Sequence, residues 1–335
     1  MVLKRMWNSF YFLIILTMLI WAATASVSAH LFQQGLTPEE VTTMDILLAF
    51  VSLLAITLTI PESRRSLRQY RWKHVPKLVL LSLLGIFLYD YFLFRAYSSD
   101  PNNVPPYAIV NYMWPLTTIL FGVVILREKP TVYTWIGGIV GFLGFLLIQF
   151  SQAFETPAVQ SAWAEGDLVG TGAQVVWSTF GDAKASGCLL AFAGAVMWGI
   201  FGPLGKKWAH EHQWHPLSSM LLYCGIGLTL ALAVFGPGIR WDYVFSRWDF
   251  VLAFVWVGAM AHGLANVLWL RTIAIGGAGR TGVVAYLTPV LALTYLGLLF
   301  GQWPPLYSAV GLGLILLAVA LAESHRNRRK NSAQS

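Results

Sequence analysis

The chain has too few charged residues to coat a soluble protein. Charged side chains make up 11% of its 335 residues, whereas soluble domains carry roughly 25%. Hydrophobic residues make up 57%. This composition excludes a soluble fold for most of the chain and indicates that lipid is its solvent.

Motifs for metal binding and nucleotide hydrolysis are absent as well. Two cysteines, Cys188 and Cys224, both lie in apolar stretches and form no metal motif. The phosphate-binding sequence G-x-x-x-x-G-K-[ST] does not occur. His210-Glu211 is followed by His215 one residue too late for the H-E-x-x-H motif of zinc proteases. We therefore expect no cofactor and no metal, and either a gradient or the substrate itself as the energy source.

Ten apolar segments approach the roughly 20 residues that a membrane-spanning helix needs. We predict an all-α membrane protein with ten transmembrane helices. The first segment follows Lys4 and Arg5 as a signal peptide would, but it is long for one and has a counterpart later in the chain. The ten segments are residues 10–29, 42–60, 78–97, 107–126, 133–150, 187–205, 217–235, 250–270, 281–300 and 306–321.

Basic residues lie between these segments and are distributed unevenly. With the amino terminus in the cytoplasm, 18 of the 22 Lys and Arg residues fall inside, and only Arg95, Lys184, Arg240 and Arg247 fall outside. Dropping one helix destroys this asymmetry, so the positive-inside rule predicts ten helices with both termini cytoplasmic. Membrane orientation thus explains the net charge of +7, and we expect no nucleic-acid partner.

A polar stretch over residues 151–186 divides the chain near its middle. It carries four acidic residues and one lysine, which suits an outer (periplasmic) linker. On either side lie five-helix units, residues 10–150 and 187–323. A basic cytoplasmic tail, residues 324–335, follows.

The two halves share sequence features. Trp21 in the first segment corresponds to Trp198 in the sixth, and residues 112–115 (YMWP) correspond to residues 286–289 (YLTP) at an offset of 174. Because five is an odd number of helices, the second copy crosses the membrane in the opposite sense. Inverted repeats are typical of secondary transporters, whose binding site lies near the membrane midplane. Chance similarity between apolar segments is the alternative.

Together these features resemble the drug/metabolite transporter superfamily, and within it proteins with two tandem EamA-type repeats. The resemblance rests on the Trp in the first helix and the Pro in the fourth helix of each half, on Glu128 and Pro130, and on a Gly-rich fifth helix. It covers nearly the whole chain. Two positions depart from the family pattern: Gln302 stands where Glu is usual, and Asp45 lies in a region that often carries Arg.

A narrower resemblance is to the bacterial aromatic amino-acid exporters of this superfamily. It is carried by residues 110–115 (VNYMWP) and by the Tyr89-Asp90 pair. It implies efflux of amino acids across the inner membrane, without fixing which ones. It also implies a small-molecule substrate and membrane lipid as partners, and leaves the oligomeric state open.

Two prolines mark a candidate substrate site. Pro115 and Pro289 lack a backbone N–H, so the carbonyls of Asn111 and Ala285 lose their helical partners. At membrane depth such carbonyls need protein, water or substrate to satisfy them. We predict that both prolines contribute to the site, with a simple packing kink as the alternative. The neighbouring residues predicted with them are Asn111, Tyr112, Trp114 and Tyr286.

Asp90 is a carboxylate near the centre of an apolar segment. Such a position costs about 2.5–3.5 kcal/mol on insertion scales, and intramembrane carboxylates mark pathways or proton relays. We predict that Asp90 holds a substrate ammonium or exchanges a proton, and a structural hydrogen bond is the alternative. Asp45, near the predicted start of its helix, is expected to be solvated.

His262, Asn266 and Trp269 share one face of the eighth segment by helical spacing. We predict that this face forms a polar wall of the cavity with one aromatic side chain. The alternative is that the polar side chains form hydrogen bonds between helices. The remaining residues predicted for the substrate site are Trp21, Trp198 and Tyr89. Tyr91 points to the opposite side of its helix from Tyr89, so at most one of the two lines a cavity.

We therefore predict a secondary transporter, not an enzyme, that exports aromatic or broad-range amino acids by alternating access. Export of other small metabolites or of cationic drugs is the alternative within transport, since an aromatic pocket also suits cations. A lipid-modifying membrane enzyme is the rival class. It would need acids, histidines or a nucleophile clustered near one interface, and the sequence offers no convincing cluster.

Overall fold

A computed structural model describes residues 6–102, 104–151, 153–300 and 306–332, and this part of the chain is helical without a strand. Within it, eight helices are long and apolar enough to cross a membrane. They are α1 (Phe10–Gln33), α2 (Pro38–Thr59), α3 (Trp72–Ser98), α4 (Pro106–Leu126), α5 (Val132–Gln149), α8 (Ala185–His212), α9 (Pro216–Gly238) and α10 (Trp248–Gly276). The others are α6 (Pro157–Ala164), α7 (Leu168–Phe180), α11 (Ala278–Ala285), α12 (Leu287–Phe300) and α13 (Leu306–Ser332).

The prediction of an all-helical membrane protein is confirmed. The first eight predicted segments coincide with the eight long helices, the ninth falls on α11 and α12, and the tenth falls on α13, where Ser308–Glu323 forms a shorter apolar helix. Gln302, Lys4 and Arg5, which entered the sequence predictions, lie outside the described residues.

Local sequence signals fix where α2 begins. Thr37 and Glu40 form a reciprocal capping box, in which the Thr37 hydroxyl accepts from the Glu40 N–H and the Glu40 carboxylate accepts from the Thr37 N–H. Pro38 occupies the first turn, where its missing N–H costs nothing. The helix therefore starts four residues before the predicted segment at residue 42.

Small residues let the central helices approach closely. A Cβ added at Gly199 of α8 would lie 2.2 Å from Oγ1 of Thr117 on α4, and one added at Gly144 of α5 would lie 2.6 Å from the Gly311 carbonyl oxygen on α13. Such close approaches are typical of small residues at the interfaces of membrane helices. Facing outward are exposed aliphatic side chains that suit contact with lipid: Leu120, Val124, Ile139, Leu143, Leu189 and Leu232.

The linker between the halves is more structured than its polar composition indicates. It contains α6 and α7, and Asp167 caps the start of α7, because its carboxylate accepts from the Gly170 N–H. Val169 and Trp177 of α7 are 85% and 72% exposed. An amphipathic helix with an uncovered apolar face suits the membrane interface.

Among the charged contacts that join the two halves, two are centred on glutamates of the first half. The Glu40 carboxylate, 1% exposed, accepts hydrogen bonds of 2.7 and 2.6 Å from the Arg240 guanidinium. Elsewhere, the Glu128 carboxylate accepts from the N–H groups of Ala278 and Gly279 and pairs with Lys206 at 3.2 Å. Because carboxylates are favourable at helix N-termini, Glu128 of the first half stabilises the start of α11 in the second.

Candidate functional site

Four tryptophans from four helices meet in the interior. Trp21 of α1 lies 5.6 Å from Trp198 of α8, 5.8 Å from Trp114 of α4 and 5.4 Å from Trp269 of α10, measured between ring centroids. Trp114 and Trp269 are 5.2 Å apart at an interplanar angle of 84°, an edge-to-face arrangement. We call these four residues the tryptophan cluster.

The helices that carry this cluster are interrupted beside it. α1 breaks at residues 22–23, directly after Trp21, and α4 breaks at residues 112–113, directly before Trp114. Tyr286 separates α11 from α12. The Trp21 indole N–H donates to the carbonyl of Ala261 at 3.1 Å, within a stretch of α10 that is π-helical from Val255 to Ala265. Interrupted helices and π-helical stretches frequently accompany binding sites, because they present backbone groups and allow movement.

A cavity of about 80 Å³ lies against the tryptophan cluster. Eight of the residues predicted for the substrate site line it: Trp21, Tyr89, Asn111, Tyr112, Trp114, Trp198, His262 and Asn266. Tyr91 instead donates from its hydroxyl to Glu39 at 3.1 Å, as its opposite position on the helix predicts. The sequence reasoning missed five further lining residues: Thr24, Ala25, Leu93, Tyr97 and Thr288.

The other five residues predicted for the substrate site do not line this cavity. Trp269 is fully buried and completes the tryptophan cluster, whereas Tyr286 is fully buried and packs at 6.4 Å from Phe142. Pro115 and Pro289 lie in the first turn of the helical stretches that follow the interruptions, and neither lines the cavity. The Ala285 carbonyl, expected to be free, accepts from the Thr288 hydroxyl at 2.8 Å. A neighbouring side chain therefore satisfies one of the two carbonyls that were expected to bind substrate.

Asp90 does not line the cavity but contacts His262, which does, and Asp45 contacts the same histidine. Nε2 of His262 is 3.2 Å from Oδ1 of Asp90, and Nδ1 is 2.5 Å from Oδ2 of Asp45. Both aspartates are completely buried, and His262 is 5% exposed. The expectation that Asp45 is solvated is therefore wrong. We call Asp45, Asp90 and His262 the carboxylate–histidine triad.

Three donor atoms of the triad lie within 4.8 Å of one another, which raises the question of a metal. Two nitrogen or oxygen ligands of a tetrahedral metal, each about 2 Å from it, are roughly 3.3 Å apart. The contact between His262 and Asp45 is shorter, at 2.5 Å. The triad in this form is therefore a directly contacting ion-pair network.

A larger cavity of about 810 Å³ opens among the basic ends of the helices. Cationic residues that line it are Arg127, Lys206, Lys207 and Arg271, with Glu62 and Glu211 as the acidic ones. Burial lowers the pKa of His215, which also lines this cavity. The cavity is wide enough for a small solute, whereas the one at the tryptophan cluster is not.

The comparisons with known proteins agree with this architecture. The EamA-like transporter family matches twice, over residues 8–150 and 185–323. The chain belongs to this family, which confirms the family resemblance seen in the sequence. It is accordingly a multi-pass membrane transporter of small molecules, not an enzyme.

Curated relatives are distant. An uncharacterized transporter YxxF of Bacillus subtilis (strain 168) is 23% identical over 85% of this chain and 83% of its own length. The aromatic amino acid exporter YddG of Ancylobacter novellus is 25% identical over 71% of this chain and 72% of its own length. A crystal structure with a TM-score of 0.72 and 21% identity covers 94% of this chain and 96% of its own, and shows the fold alone.

Proposed function

We propose that this transporter exports amino acids, aromatic or broad-range, across the inner membrane by alternating access. The observation that carries the proposal is the small cavity bounded by the tryptophan cluster, with amide groups of Asn111 and Asn266 on its wall. Indole faces favour an aromatic or cationic group. The two amides offer donors and acceptors for an α-amino and an α-carboxylate group.

The cavity has to open to accept such a solute. An engineered cavity of about 150 Å³ holds benzene, and the cavity here is about half as large at 80 Å³. The interruptions of α1 and α4 beside the cluster provide places where helix halves can move. Alternating access supplies that movement, since one bundle rocks against the other around the site.

The topology proposed with this function is ten helices arranged as two inverted five-helix repeats. The units are residues 10–150 and 187–323, joined by the outer linker 151–186 and followed by the cytoplasmic tail 324–335. The tandem family matches support this division. So do the π-helical stretches Leu83–Phe87 and Val255–Ala265, which occur in the third predicted helix of each half.

Transport into proteoliposomes tests the substrate class directly. Liposomes preloaded with an unlabelled amino acid should exchange it for the same labelled compound, and aromatic amino acids should exchange fastest across a panel of all twenty. Protein-free liposomes give the background. Failure with every amino acid, alongside exchange of a cationic drug or another metabolite, would overturn the proposal in favour of that alternative.

A further inference from the structure

The charge of the carboxylate–histidine triad does not balance by itself. With His262 protonated and both aspartates ionised, its net charge is −1. Throughout the described part of the chain, no Lys or Arg pairs with either carboxylate. The other titratable neighbours are the Cys224 thiol on α9 and the Tyr89 phenol, and neither is cationic in any protonation state. An unbalanced charge at zero exposure is far less stable than a neutral group.

One additional cation restores neutrality, and the geometry selects a proton. His262 contacts each carboxylate directly, at 2.5 and 3.2 Å, so no ion separates the three groups. A proton needs no such space, because it adds to a carboxylate oxygen. With His262 kept as the imidazolium between the two carboxylates, the neutral form of the triad has one ionised and one protonated aspartate.

His262 connects this charge to the cavity. Its side chain lines the cavity beside Asn266 and Trp198 and also touches both buried carboxylates. It lies within the π-helical stretch of α10, a conformation with a shifted hydrogen-bond register. A change of register there would move the imidazole relative to Asp45 on α2 and Asp90 on α3. The solute site and the proton site thus share His262.

We propose that Asp45, Asp90 and His262 form a proton-coupling site and that one proton enters the cell for each solute molecule exported. The proton adds to a carboxylate oxygen from the outer side and leaves to the cytoplasm, and no other bond changes. The imidazolium of His262 neutralises one carboxylate. Asp45 adds the second carboxylate, and its charge requires one further proton. The proposal rests on the transport activity proposed above, but not on which solute is carried.

Infrared spectroscopy of the purified full-length protein tests the site without any solute. At neutral pH, the wild type should show the carbonyl stretch of a buried protonated carboxylic acid. Asp45→Asn and Asp90→Asn should each abolish that band, because either change leaves one carboxylate and one imidazolium, which are neutral together. Asp182→Asn, at an exposed linker position, should retain it. A wild type without the band overturns the proposal, as does a band that either buried substitution leaves in place.

Transport separates coupling from substrate recognition. Wild-type liposomes with an acidic interior should accumulate a labelled aromatic amino acid at least fivefold above equilibrium. Asp45→Asn and Asp90→Asn should lose this accumulation, whereas Asp182→Asn should keep it. Exchange without pH-driven accumulation in the wild type, or accumulation driven by a sodium gradient alone, overturns proton coupling and leaves the substrate proposal intact. Absence of all exchange together with an intact infrared band contradicts the substrate proposal alone.

Discussion

At the scale of single residues, the indole of Trp198 packs against two members of the tryptophan cluster and against Tyr89. Its ring centroid is 4.7 Å from Tyr89, 5.6 Å from Trp21 and 6.4 Å from Trp269. Each aromatic pair contributes roughly 0.5–1.5 kcal/mol beyond its buried area. Trp198 therefore both shapes the cavity and presents a face to whatever fills it.

Substitution of Trp198 measures that contribution. Trp198→Ala should weaken binding of an aromatic amino acid about 10- to 100-fold, since 1.4 kcal/mol corresponds to a factor of ten, and Trp198→Phe should weaken it less. Isothermal titration in detergent gives the affinities. Trp177→Ala removes an indole that is 72% exposed in the linker and should leave affinity unchanged. Equal affinity of Trp198→Ala and wild type would exclude the cluster as the binding site.

The sequence predicted cavity residues correctly where a polar or aromatic side chain stood out in an apolar segment. Tryptophans and amides in apolar segments, next to prolines, led to Trp21, Trp114, Asn111 and Asn266, which all line the cavity. It failed at Asp45 for a geometric reason. The predicted helix began at residue 42, whereas the capping box starts α2 at Pro38, so Asp45 lies about two turns inside the helix instead of near its end.

At the scale of helices, the contact between α4 and α8 depends on the absence of a side chain at Gly199. A Cβ there would approach the Thr117 backbone carbon to 2.8 Å. Gly199→Ala should therefore destabilise the protein by about 1–3 kcal/mol, the usual cost of overpacking, and lower its melting temperature. Gly172→Ala on α7 meets nothing within 4 Å and serves as the control. Equal melting temperatures of Gly199→Ala and wild type would contradict close packing here.

The start of α11 depends on a carboxylate from the other half of the chain. Gly277 precedes this helix at φ +83°, a conformation that favours glycine, and Glu128 then accepts from the next two N–H groups. Glu128→Gln keeps the shape but removes the charge, and it should cost about 1 kcal/mol, because the side chain is 24% exposed and partly screened.

Salt should distinguish this contact from simple packing. The difference in melting temperature between wild type and Glu128→Gln should shrink as ionic strength rises. Glu165→Gln in the exposed linker should show no difference at any salt concentration. A loss of stability in Glu128→Gln that is independent of salt would assign Glu128 a packing role instead of an electrostatic one.

Patterns in the sequence predicted helices better than their connections. Long apolar runs predicted all eight long helices of the described residues, because a helix that spans lipid requires such a run. The linker was different, since average polarity over residues 151–186 concealed α6 and α7, which are short and amphipathic. The hydrogen bond from the Thr288 hydroxyl to the Ala285 carbonyl could not be predicted from the sequence either, because it depends on the rotamer of the Thr288 side chain.

At the scale of the whole molecule, the proposed ten-helix topology and the uneven distribution of basic residues predict on which side of the membrane each loop lies. Residue 182 in the linker and residue 210 at the end of α8 should lie on opposite sides, outside and inside respectively. Four crossings follow residue 210 in this topology and bring the carboxyl terminus back inside: α9, α10 and the ninth and tenth predicted segments.

Cysteine labelling in intact cells tests the first part of this topology. In a background with Cys188→Ser and Cys224→Ser, Asp182→Cys should react with a membrane-impermeant maleimide added outside, and His210→Cys should react only after the inner membrane is opened. Both positions are exposed, so reagent access reports sidedness. A fluorescent protein that folds only in the cytoplasm, fused after Ser335, should fluoresce. A dark fusion with normal expression would require an odd number of crossings after residue 210, which is incompatible with both the ninth and the tenth segment spanning the membrane.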